Sequence, residues 1–93
     1  MKTVTIQIGN TDNKLTQQDW AAFVLMIRTS ILKHCVNVEF CGGPPNWERW
    51  QNVAWVINIK EENIEGLKSA LSFDRKCCMQ DSVAWTEGIT EFI

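Results

Sequence analysis

Val4, Ile6 and Ile8 fall at every second position of TVTIQIG, with Thr3, Thr5 and Gln7 between them. A period of two predicts a half-buried strand over 3–9, closed by Gly9 and the turn-forming NTDN. The period then changes. Trp20, Phe23, Val24, Ile27 and Ile31 recur at spacings of three and four, the repeat of one helix face. Thr16, with Asp19 three residues on, forms a capping-box-like start to this helix. VNVEFC alternates again, with Val36, Val38 and Phe40 on one face and Asn37, Glu39 and Cys41 on the other, and GGPPN ends it. In VAWVINIK, Val53, Trp55, Ile57 and Ile59 share one face, and Ala54, Val56 and Asn58 the other. EENIEGLKSALSF predicts a second helix over 61–73, with Glu61 and Glu62 at the positive end of its dipole and Ile64, Leu67 and Leu71 as its stripe. Gly66 weakens that helix by about 1 kcal/mol relative to alanine. DSVAWTEG predicts a last strand with Val83 and Trp85 facing inward, followed by the tail ITEFI.

The order β-α-β-β-α-β predicts an α+β, ferredoxin-like sandwich: a four-stranded antiparallel sheet with two helices on one face. The 93 residues fill a single domain, 1–93. The longest connections are 42–52 and DRKCCMQ near 74–80. The inward face collects Val4, Ile6, Ile8, Val36, Val38, Phe40, Val53, Trp55, Ile57, Ile59, Val83 and Trp85. The open face collects Thr3, Thr5, Gln7, Asn37, Glu39, Cys41, Ala54, Val56, Asn58, Ser82, Ala84 and Thr86. With no aromatic residue there, this face lacks the base-stacking platform of RNA-binding sheets. It suits either solvent or the close approach of another chain.

Charge narrows the partners. The net charge is −2, and the nine lysines and arginines are scattered with no basic run. A nucleic-acid polymer is therefore not expected, whereas a small anion needs only one or two well-placed arginines. The alternating N-terminus is unlike a leader or a membrane span, so a cytoplasmic chain is expected. There Cys35, Cys41, Cys77 and Cys78 are reduced thiols. No C-x-x-C accompanies His34-Cys35, Cys41 and Cys77-Cys78, so small buried thiols, not metal ligands, are expected. The lone histidine, His34, sits at a helix end where the dipole favours a cation. No nucleophile–base pair stands out, and no spacing selects a pair among Asp12, Asp19, Glu48, Asp81, Glu87 and Glu91. No catalytic residue, metal or cofactor is assigned. An enzyme using Asp81 or Glu87 as base is the third and least supported class.

Two stretches concentrate binding chemistry. In PPNWERWQN, Pro44 and Pro45 stiffen a loop carrying Trp47 and Trp50, with Arg49 between them and Asn46, Glu48, Gln51 and Asn52 around them. Tryptophan, arginine and amides together make binding hot spots and pockets for planar ligands. The same tryptophans also suit a lid folded over the edge of the core. In QDSVAWTEG, Gln80, Asp81 and Ser82 enter the last strand, an edge strand able to pair with a second subunit.

IQIGNTDNKLTQQDWAAFV, PNWERWQNVAWVI and QDSVAWTEGITEFI, about half of the chain, resemble a family of small bacterial and phage proteins with no established activity. The resemblance implies no catalytic residues. Its phage context implies a protein that counters host defence, by sequestering a nucleotide-derived signal or by binding a defence protein.

The expectation is thus a non-enzymatic, homodimeric or larger assembly binding a small, planar, nucleotide-like anion. Trp47 and Trp50 wall the pocket and Arg49 pairs with phosphate. Asn46, Gln51 and Asn52 read polar edges, joined by Asp12, Asn13, Gln80 and Asp81. The alternative is an interaction module that docks on a host protein through the tryptophan loop or the open sheet face.

Overall fold

A computed structural model of the chain describes residues 1–10, 15–44 and 51–93. The elements are β1 (Lys2–Gly9), α1 (Gln17–His34), β2 (Asn37–Gly42), β3 (Asn52–Ile59), α2 (Glu61–Cys77) and β4 (Ala84–Gly88). They form one open antiparallel sheet in the order β2-β3-β1-β4, the ferredoxin-like α+β arrangement expected from the sequence. No described helix is long and apolar enough to cross a membrane.

The core forms where the two periodicities meet. Val4, Ile6 and Ile8 of β1 and Trp55, Ile57 and Ile59 of β3 pack against Trp20, Phe23, Ile27 and Ile31 of α1 and Ile64, Leu67 and Leu71 of α2. The α1 start is as expected: the Thr16 hydroxyl accepts from the Asp19 amide at 3.2 Å. The helices run antiparallel, joined by a bond from the Ser30 hydroxyl to the buried Asp74 carboxylate at 2.6 Å. Gly66 faces the end of α1, where a Cβ would meet the His34 ring at an ordinary contact distance of 3.4 Å, so packing there does not demand glycine.

Two expectations need correction. Residues 74–77, read as connection, belong to α2. Asp74 gives them an inward anchor on α1, and Arg75 and Lys76 suit the negative end of the helix dipole. The second correction concerns β2. Val38 pairs with Ile57, but the next pair is Phe40 with Val56, so Glu39 is an extra, bulged residue. One inserted residue reverses the facing of everything after it. Phe40 therefore lies on the open face, 55% exposed, and Cys41 turns to the helix side opposite Trp55. Val36, placed in the core from the pattern, precedes β2 and is exposed. Val38, Val53, Val83 and Trp85 are only partly buried, at the margin of the core.

Candidate functional site

β1 ends, β3 begins, and Gly9 pairs with Asn52 at that end of the sheet. The same end receives the β1–α1, β2–β3 and α2–β4 connections, because β2 runs parallel to β1 while β3 and β4 run against it. The topology thus gathers at one end the described ends of the three connections in whose sequence the candidate site residues fall. Asp12, Asn13, Asn46, Trp47, Arg49 and Trp50 lie outside the described residues. The roots from which their stretches leave are described.

Those roots meet on Asn10, a residue the sequence reading did not single out. Its exposure is 1%, and every polar atom of its side chain is engaged. Nδ2 donates to the Leu15 carbonyl at 2.9 Å and to Gln51 Oε1 at 3.2 Å, and Oδ1 accepts from the Leu15 amide at 3.0 Å. The Asn10 amide donates to the Gln51 carbonyl at 2.7 Å. One buried side chain therefore joins the end of β1 to Leu15, ahead of α1, and to Gln51, ahead of β3. Gln51 Nε2 continues the network to Gln17 Oε1 at 2.7 Å, reaching the first turn of α1. On the entering side of 45–50, Gly43 lies so close to the Asn52 backbone carbonyl that a Cβ would overlap it. The signal available for Asn10 was its position: an asparagine directly after the strand-closing glycine, where Asx bonding to the following loop is favoured.

The other named residues divide by engagement. The Gln51 amide is committed to the scaffold on both sides. Gln80 caps α2: its amide donates to the Arg75 carbonyl at 2.8 Å and its carbonyl accepts from Arg75 Nη1 at 3.3 Å. Asp81 is exposed beside it. Asn52, by contrast, carries a side-chain amide with no partner among the described residues, at the edge of the open face.

That open face is polar but internally bonded. Thr90 donates to Thr3 at 3.1 Å, Thr3 to Asn58 Oδ1 at 3.1 Å, and Asn58 to Glu39 at 2.6 Å and Asn37 at 3.0 Å. The bulge adds an aromatic residue to this face, whose ring lies over Gly42. The expectation of a face without aromatics is therefore overturned, although one phenylalanine does not make a stacking platform.

The titratable groups are placed structurally. Burial pushes the Cys35 and Cys78 thiols up, and Cys78 rises further beside Cys77, Asp74 and Asp19. These are poor nucleophiles. Glu87 is held below the usual range, first by the Trp85 indole N–H at 3.0 Å and then by Lys2 at 3.2 Å. His34 Nδ1 donates to the Ser30 carbonyl at 2.7 Å, within its own helix. Among the described residues no three of His, Cys, Asp and Glu are placed to hold a metal ion.

No protein-family model matches the chain, and no curated protein matches it.

Proposed function

We propose that the protein is a non-enzymatic binding domain for a small, planar, anionic ligand, nucleotide-derived, held at the end of the sheet where the three connections converge. Trp47 and Trp50 stack on the planar part, Arg49 pairs with the anion, and the Asn52 amide bonds a polar edge. The observation that carries this reading is the convergence itself. The residue types suited to a planar anion fall in PPNWERWQN, and the root of that stretch at Gln51 is tied to the root of the β1–α1 connection by Asn10. Tying the roots lowers the ordering entropy that binding must overcome. In a phage setting such a domain acts as a sponge for a host signal.

Thermal denaturation across a panel of nucleoside monophosphates and cyclic nucleotides tests it. One of them should raise Tm with concentration, as a native-state ligand must. Trp47→Ala and Trp50→Ala should abolish that rise while keeping the unliganded Tm. If both variants unfold instead, the tryptophans are core and the reading fails.

A second reading is favoured by one observation, the exposed Phe40 set beside Val56 on a face of small side chains. Under it the open face docks on a host protein. No nucleotide then shifts Tm, and Phe40→Asp, not Trp47→Ala, disrupts the complexes seen by size-exclusion chromatography.

A further inference from the structure

Two cations, Lys68 and Arg75, lie on the flank between α2 and β4, beside the connection that joins them. Lys68, Ser72 and Arg75 follow one another at four and three residues along α2, the spacing of a single helix stripe. With Leu71, Val83 and Trp85 they line a depression of about 110 Å³. That is well below the roughly 300–1,000 Å³ of a drug-sized site and suits a small group.

Both cations are held in place, and neither makes an ion pair with a carboxylate among the described residues. Lys68 Nζ sits 5.1 Å over the Trp85 ring, a cation–π contact that fixes the ammonium at the rim. Arg75 uses Nη1 on the Gln80 carbonyl, which orients the guanidinium and leaves other N–H groups unused. The ion pairs among the described residues both belong to Lys2, so neither Lys68 nor Arg75 has a carboxylate in ion-pair distance among them. Glu87, close enough to feel Lys68, is already occupied by the indole N–H and by Lys2. Asp74, next to Arg75 in sequence, turns to Ser30 on the opposite side of the helix. In a chain of net charge −2, two preoriented, unpaired cations flanking a hydroxyl form a donor set without an acceptor.

We propose that this α2–β4 groove is an oxyanion site that takes one phosphate-class group of a small soluble molecule. Lys68 and Arg75 supply charge-assisted donors from either end, and the Ser72 hydroxyl supplies a neutral one between them. The Trp85 face and Leu71 form its apolar wall. This site is independent of the tryptophan loop, so the two readings can fail separately.

The test is two-dimensional 15N NMR of the full chain, titrated with inorganic phosphate at constant ionic strength, with chloride as the control. Saturable shifts are expected at the Trp85 indole N–H and the Ser72 and Arg75 amides with phosphate only. Affinity should fall about tenfold or more in Lys68→Gln and in Arg75→Gln, the loss of one charge-assisted bond. Arg75→Lys should retain most of it. Lys68 is exposed, so Lys68→Gln remains a folded control even if losing the Gln80 contact unsettles Arg75→Gln. Shifts that never saturate, that chloride reproduces, or that persist unchanged in Lys68→Gln overturn the proposal.

Discussion

Replacing Asn10 by alanine removes three side-chain hydrogen bonds and leaves the Leu15 backbone and the Gln51 amide without their partner. A buried group left unsatisfied costs about 1–3 kcal/mol, so Asn10→Ala should lower stability by about 2 kcal/mol in chemical denaturation. Any ligand affinity of the loops should fall by more than stability alone explains, because their roots separate. Asn10→Asp tests the same geometry more finely: it keeps the acceptor for Leu15 but sets a buried carboxylate oxygen against the Leu15 carbonyl and Gln51 Oε1, so at neutral pH it should be at least as destabilising as alanine. Glu87 offers a pH-dependent case. Its carboxyl lies below the ordinary value of 4.5, with the Trp85 indole bond the largest cause. A depressed folded value means that its contribution is present above about pH 4.5 and is lost as pH falls through the folded value. Trp85→Phe should move the Glu87 midpoint upward in an NMR titration. A midpoint unchanged by that substitution would show that the indole is not the cause.

At the scale of elements, the bulge in β2 makes the sharpest prediction. Phe40→Ala should cost under about 1 kcal/mol, as exposed substitutions do, whereas truncating a core aromatic such as Trp55 costs about 3–5 kcal/mol. If Phe40→Ala proves as damaging as Trp55→Ala, the bulge is misplaced. This element also shows where the sequence was readable and where it was not. Both helices, the Thr16 cap and the β1 and β3 faces followed from periodicity, because each is set by local spacing and burial acts on every turn or pair. The β2 face did not follow. VNVEFC alternates without a break, and a bulge leaves the composition unchanged while reversing each later side chain. The end of α2 was missed because Asp74 looks like a helix breaker until its partner Ser30, on another element, is known. For the site, residue types pointed to the stretches but not to their base. Asn10 is a single ordinary residue whose role depends on contact with Gln51, distant in sequence.

At the scale of the molecule, the ferredoxin-like topology separates two surfaces. One is the end where three connections leave the sheet, two of them tied by Asn10. The other is the α2–β4 flank with its unpaired Lys68 and Arg75. The molecule is thin, 17 Å along its shortest axis, as expected for one helical layer on one sheet. Under the proposed reading, a ligand at the loop end gains little enclosure from the scaffold, and Trp47 and Trp50 are required to supply the apolar contact. Native mass spectrometry of the freshly purified chain tests that claim most directly. The prediction is a species heavier than the bare chain by one small-molecule mass, which disappears when both Trp47 and Trp50 are replaced by alanine in a protein that keeps its helical circular dichroism. The same adduct on the wild type and the double variant, or only the bare chain in both, would contradict it.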